Sequence, residues 1–201
     1  LGAIGYATAQ KFLKEGSEII LLDIVDPKKV SLDLTGMTYF QCDITNENKV
    51  EAVFDQISQN FGGVDILISN AGFAIQSSLD ELTKKQLDSS FDLNFFAHHY
   101  FVKHGTKIMK IQNMKGSVVF NISKQAVNPG PNFGAYGLPK ATLMFLMKQY
   151  VVESSKYGIR FNGINADRIR SGLLNPDMIA KRAKSRGLTI EQYMAGNLLK
   201  E

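Results

Sequence analysis

The amino-acid sequence predicts an α/β fold: a doubly wound parallel sheet covered by helices on both faces. Three observations carry that reading. The apolar runs Ile19 to Leu22, Val64 to Ser69, Ser117 to Ile122 and Ile159 to Ile164 are continuous rather than alternating, as in strands buried on both sides. Longer segments with apolar residues at helical spacing lie between them. Strands that alternate with helices in this way favour parallel pairing through helical crossovers.

The chain opens on Leu1-Gly2-Ala3-Ile4-Gly5, a glycine-rich turn leading into a helix from Tyr6 to Glu15 that buries Ala9, Phe12 and Leu13 and stops at Gly16. The first apolar run ends in Asp23, and after a polar stretch with Asp26-Pro27 a short strand leads into Asp43. Thr45 is expected to cap the next helix, where Val50, Val53, Phe54 and Ile57 keep helical spacing up to Gly62. One long helical region is expected from about Lys84 to Met114, and another from Leu138 to Tyr157, ending at Gly158. A polar, basic, helical excursion then covers about Asn175 to Leu199. The glycine-rich turn has no strand before it, and the chain stops where this fold would add a helix and a strand. Residues 1–201 therefore read as a single domain from a longer chain that lacks the first strand and the C-terminal helix and strand.

A chain of 201 residues with 44% hydrophobic composition can bury a sizeable core as one domain. Its net charge of +4 arises from basic residues scattered among acidic ones, which gives little support for a nucleic-acid partner. A single cysteine excludes an internal disulfide, and no stretch is apolar enough for a membrane span or a signal-peptide core, so a soluble cytoplasmic protein is expected. Cys42 follows Tyr39-Phe40-Gln41 with no histidine nearby and reads as a strand residue rather than a nucleophile. His98, His99 and His104 lack a carboxylate or cysteine at a recognisable ligand spacing. They are assigned to packing, a helix surface or a subunit contact, and no metal is expected.

A glycine-rich turn before a helix lets backbone amides approach a pyrophosphate, whose charge the positive end of the helix dipole stabilises; Gly2 and Gly5 can do this. Asp23, at the carboxyl end of the second strand of such a fold, can accept hydrogen bonds from an adenosine ribose and would repel the extra phosphate of NADP, which favours NAD. Tyr136 and Lys140 stand four apart at the start of a helix and share a face. An ammonium there would lower the phenol pKa from about 10 toward a value useful for acid/base work. Pro139 is tolerable only near a helix start, which sets that start close to Tyr136.

The order and intervals of Asn70-Ala71-Gly72 after a strand, Asn94 in the following helix, Ser123, and Tyr136-Gly137-Leu138-Pro139-Lys140 resemble the short-chain dehydrogenase/reductase family of the classical type. The resemblance spans practically the whole chain. It implies a Rossmann-like fold, a homodimer or homotetramer, and hydride transfer between NAD and an alcohol or carbonyl compound. It further implies Tyr136 as acid/base, Ser123 as donor to the reacting oxygen, Asn94 as support for a proton-relay water, and Lys140 as a further holder of the nicotinamide ribose. Gly2, Ile4 and Gly5 would meet the pyrophosphate, Asp43 and Ile44 the adenine, Asn70 to Gly72 the cofactor's flank, and Ile169 and Ser171 the carboxamide. Hydride transfer needs a substrate oxygen held near both a hydrogen-bond donor and a proton acceptor, and Ser123 and Tyr136 supply the two.

The chain departs from the family pattern at Ala3 in place of a middle glycine, Ser69 in place of an asparagine, and Ala166-Asp167 where Pro-Gly is usual. Lys124 points either toward substrate or into solvent. The run from Ser123 to Tyr136, with Asn165-Ala166-Asp167 and the closing Asn197-Leu198-Leu199-Lys200, is most similar to the dehydrogenase part of bifunctional rhamnulose-1-phosphate aldolase/alcohol dehydrogenases. That implies a short hydroxyaldehyde such as lactaldehyde as substrate and a fused aldolase domain. Arg168, Arg170, Lys181, Arg182, Lys184 and Arg186 make a sugar-phosphate or polyol dehydrogenase the competing reading, with a solvated helical face as the plainer one. A noncatalytic dinucleotide-binding regulatory protein is a further alternative, against which the set Asn94, Ser123, Tyr136 and Lys140 argues. A structural role through the aromatics Phe95, Phe96, Tyr100 and Phe101 is another, although such residues are more often core or oligomer interface.

Overall fold

Gly2, in extended conformation, makes the entry to α1 (Ala3–Lys14), and the helix starts ahead of the expected Tyr6 because Ala3 to Gly5 already form its first turn. The computed structural model describes residues 1–169, 171 and 174–196. Ala9 of α1 packs in one cluster with Ile19 and Leu21 of β1 (Ile19–Asp23). β1 pairs in parallel with β2 (Met37–Gln41), Ile19 opposite Met37. Asn46, not Thr45, caps α2 (Glu47–Phe61), its carboxamide oxygen accepting the Lys49 amide at 3.2 Å. The Thr45 hydroxyl is captured instead by the Asp43 carboxylate at 2.7 Å. Gly62, at φ 79°, takes the left-handed conformation that ends α2.

The expected long helical region is two helices, α3 (Lys84–Phe91) and α4 (Ala97–Gln112), joined by a wide π turn at Asp92–Phe96. The turn arises where the Asn94 side chain reaches out to a neighbouring loop instead of lying along the helix. β3 (Ile66–Ser69), β4 (Gly116–Asn121) and β5 (Ile159–Ile164) form a parallel sheet in that order, Ile66 opposite Ser117 and Gly116 opposite Ile159. The single expected sheet is thus present as two, β1-β2 and β3-β4-β5, and among the described residues no strand pairs with both β1 and β3.

α4 lies very close over β3. A Cβ on Gly105 would fall 2.3 Å from a Leu67 methyl, so glycine lets the helix approach and brings its buried face to the end of β3. Val50, Val102, Val118 and Leu143 are wholly buried in the main core, and Phe95, Tyr100 and Phe101 pack against it, whereas Phe96 is exposed. Cys42, just past β2, is buried there too, and burial pushes its thiol up. α5 (Gly134–Ser154) begins earlier than the expected Leu138. Pro139 therefore sits in its second turn rather than its first, and the Ala135 carbonyl lacks the usual amide partner.

Beyond β5, Asn175 caps α6 (Pro176–Ser185) with its side chain, and α7 (Ile190–Ala195) follows after Gly187. Leu174, Ile179, Ala183 and Tyr193 give this excursion its own small core. Arg170 and the closing run that includes Leu199 lie outside the described residues. Among the described residues no helix is long and apolar enough to cross a membrane.

Candidate active site

The carboxyl ends of β3 and β4 and the first turns of α5 bring the predicted residues together. Ser123, two residues past β4, is buried, and its hydroxyl accepts the Gln125 amide at 3.1 Å. Tyr136 stands in the first turn of α5 and Lys140 one turn on, where only 2% of Lys140 is exposed. The Lys140 ammonium donates to the Asn121 carbonyl at 3.0 Å and lies 3.3 Å from His98 Nε2. Burial brings its pKa down to about 7.

The expected lowering of the Tyr136 phenol by this ammonium is not what the structure shows. Burial pushes the phenol up, and the Ser123 side chain, hydrogen-bonded to it, pulls it back. The reason is geometric: Lys140 Nζ sits 5.9 Å from the centre of the Tyr136 ring and is turned toward Asn121 and His98. The phenol has the serine, not the lysine, as its immediate partner.

Asn94 is wholly buried in the π turn. Its amide donates to the Phe73 carbonyl at 2.9 Å and to the Ser90 hydroxyl at 3.0 Å, and its oxygen accepts the Phe73 amide at 3.3 Å. Both amide hydrogens are therefore used inside the protein, to hold the loop after β3. Gly72 belongs to that loop, and a Cβ there would fall 2.9 Å from Asn94 Oδ1 and 3.6 Å from Lys140 Nζ. Asn70 accepts from the Asn121 amide at 2.9 Å, which ties the same loop to the end of β4.

The predicted cofactor residues line up along the strand ends. No side chain caps α1 at Gly2, and no acid stands in its first turn, so its leading amides and dipole face outward unneutralised. Gly5 approaches Asn70 so closely that a Cβ would lie 2.9 Å from its amide nitrogen. Asp23, at the end of β1, accepts the Val25 amide at 3.0 Å. Ile169 closes an open groove with Ala3, Ile4 and Ala7 of α1. Asp43 spends one carboxylate oxygen on Thr45, Ile44 packs on the core, and the Ser171 carbonyl accepts the Leu174 amide at 2.9 Å. A backbone cradle, a strand-end acid and a buried cation on one edge fit a dinucleotide with a pyrophosphate and two riboses.

Residues 1–182 match the short chain dehydrogenase family. The chain belongs to the short-chain dehydrogenase family. Members of this family of oxidoreductases bind a nicotinamide dinucleotide and act on alcohols and carbonyl compounds. Short-chain dehydrogenase reductase 3a of Arabidopsis thaliana is 30% identical over 197 residues, which cover 96% of this chain and 74% of the relative. An uncharacterized oxidoreductase of Bacillus subtilis is 32% identical over 181 residues, 85% of this chain, but the chain spans only 26% of that relative's length. Among solved structures, ligand-free aldohexose dehydrogenase of Thermoplasma acidophilum is 26% identical with a TM-score of 0.81, over 97% of this chain and 73% of that one.

In this short-chain dehydrogenase two of the sequence departures have partners. The Lys124 ammonium pairs with Asp167 at 3.2 Å. Ser69 bonds to His98 Nδ1 at 2.6 Å. His98, assigned from sequence to packing, a helix surface or a subunit contact, is packed in the interior against Lys140, a partner the sequence did not show, and Asn121 was missed altogether. A histidine on the apolar face of a helix carries no sequence signal of its target, and Asn121 holds the lysine through a backbone carbonyl that any residue would supply.

Proposed function

We propose that the chain is the catalytic domain of an NAD-linked oxidoreductase that interconverts a small alcohol and its carbonyl compound. The observation that carries this reading is the convergence of Ser123, Tyr136 and Lys140 on one strand edge, beside the uncapped amino end of α1. Bound dinucleotide supplies the hydride acceptor or donor. The first-turn amides of α1, with Gly2, Ile4 and Gly5, hold its pyrophosphate, and Lys140 holds the nicotinamide ribose. Asp43 and Ile44 border the adenine, Asn70 to Gly72 the cofactor's flank, and Ile169 and Ser171 the carboxamide. Ser123 donates a hydrogen bond to the substrate oxygen, and Tyr136 Oη takes or gives its proton as the carbon gives or takes hydride.

The resemblance to aldolase-linked dehydrogenases supports a short hydroxyaldehyde such as lactaldehyde as substrate, with an aldolase domain as partner and a homo-oligomer as the working form. A sugar phosphate or polyol is the second reading. Arg182 stacks over Phe133 at 4.9 Å, and the Phe133 ring neighbours Tyr136, so cationic groups border the approach to the site. Coupled assays with NAD and a panel of hydroxyaldehydes, polyols and sugar phosphates separate the two, since turnover confined to phosphorylated compounds rejects lactaldehyde.

Asp23 should set the cofactor preference. We expect kcat/KM with NAD to exceed that with NADP by about tenfold or more, and Asp23→Ala to erase most of the difference by removing the repulsion of a 2′-phosphate. Equal use of both by the unaltered protein counts against NAD.

A further inference from the structure

Among the buried ionisable groups of the described residues that the mechanism does not use, His98 stands beside the site. His98, in the first turn of α4, is 1% exposed and sits between Ser69 at the end of β3 and Lys140 on α5. Its Nδ1 lies 2.6 Å from Ser69 Oγ and its Nε2 lies 3.3 Å from Lys140 Nζ. We infer that His98, oriented by Ser69, is a positioning residue for Lys140, its neutral imidazole donating from Nδ1 to Ser69 and accepting the Lys140 ammonium at Nε2. This inference rests on the reading of Tyr136 and Lys140 as a catalytic pair.

The tautomer follows from the neighbours. An ammonium has only hydrogens to offer, so the nitrogen facing it must carry the lone pair, and the ring proton then belongs to Nδ1, where a hydroxyl oxygen receives it. Burial and the Lys140 charge both hold His98 well below the usual histidine range, while a backbone hydrogen bond with Ala71 opposes them. The groups facing the ring are thus Ser69 and Ala71 on the β3 side and Lys140 from α5, with Tyr136 beyond Lys140. Lys103, Glu47 and His104 act on the adjacent His99 instead.

The geometry has a functional consequence. Lys140 carries three hydrogens, and the Asn121 carbonyl and His98 fix two of them. The third is left to point into the site. Without the imidazole the ammonium loses an acceptor in a dry pocket, its charged form becomes less favourable, and its direction is free.

The test uses the full chain in four measurements. Nitrogen-15 spectra of its three histidines should show the His98 ring with a protonated Nδ1 and a bare Nε2 near pH 6, where Lys140 is charged. A proton on Nε2, or a doubly protonated ring at neutral pH, overturns the inference even if no variant folds. His98→Leu should lower kcat for NADH-dependent lactaldehyde reduction at pH 7 about tenfold with KM little changed, and should move the alkaline limb of its pH profile to lower pH, because the ammonium gives up its proton more readily. His98→Gln, which retains an acceptor, should recover most of both. An unmoved pH profile in His98→Leu, or equal losses in both variants, also overturns the inference. Tyr136→Phe, run alongside, tests the underlying reading separately, because its full activity would sink that reading whatever the His98 variants do.

Discussion

Replacing Tyr136 by phenylalanine should lower turnover by about 100- to 10,000-fold, the range lost with a general acid or base, while dinucleotide binding stays intact. The substitution keeps the ring, and with it the edge-on packing against Phe133 at 6.5 Å between centres, and removes the oxygen. Ser123 remains able to donate a hydrogen bond to a substrate oxygen but cannot deliver or accept the proton that must move with the hydride. Steady-state rates combined with calorimetric titration of NADH separate chemistry from binding. Near-normal turnover would remove Tyr136 from the mechanism.

Lys140→Met should have the second large effect, and on two observables. Loss of the cation should lower kcat/KM about 100-fold or more, because the contact that holds the nicotinamide ribose disappears. It should also abolish a pH dependence of stability. In the folded chain the Lys140 pKa falls from 10.5 to about 7, so between those values the unfolded state binds a proton that the folded state does not. Stability therefore rises as pH increases through that window, since the slope follows the excess of protons on the unfolded chain. From pH 7 to 9 the gain is roughly 2 to 3 kcal/mol, or about 5 to 10 °C in Tm. His98 has the same sign but acts at lower pH, while Cys42, raised by burial, opposes the trend from about pH 9 and Tyr136 and Tyr150, also raised by burial, from about pH 10. Thermal unfolding of the unaltered protein and of Lys140→Met at pH 7 and 9 checks this. A Tm that does not rise in the unaltered chain contradicts the burial of that ammonium.

The strands were legible in sequence because buried parallel strands leave continuous apolar runs, and Ile159 to Ile164 agrees with β5 at both ends. Helix starts were less so. Gly2 and Gly134 begin or precede helices without a side-chain cap to mark them, and Asp43 competes with the helix for Thr45. The break at Asp92–Phe96 has no glycine or proline, and its cause is a contact from Asn94 to Phe73, distant in sequence. The site shows the same division. Ser123, Tyr136 and Lys140 were singled out because their order and intervals resemble the family's, whereas their surroundings, His98 with Ser69 and the Asn121 carbonyl, depend on which helix face meets which strand end. The supposed effect of Lys140 on the Tyr136 phenol failed for that reason. Four-residue spacing puts two side chains on one face, but the direction of the ammonium is decided by acceptors on other elements.

The central claim is direct hydride exchange at this site between a nicotinamide dinucleotide and a small carbonyl compound. Reduction of a panel of hydroxyaldehydes and sugars with NADH carrying deuterium at both hydrogen positions of nicotinamide C4 tests it most directly. The account predicts that for at least one carbonyl compound deuterium appears on the former carbonyl carbon, one per NAD formed, and that Tyr136→Phe binds the same NADH without producing labelled alcohol. Bound NADH with no label transferred to any of the compounds, or labelled alcohol formed equally well by Tyr136→Phe, would contradict it.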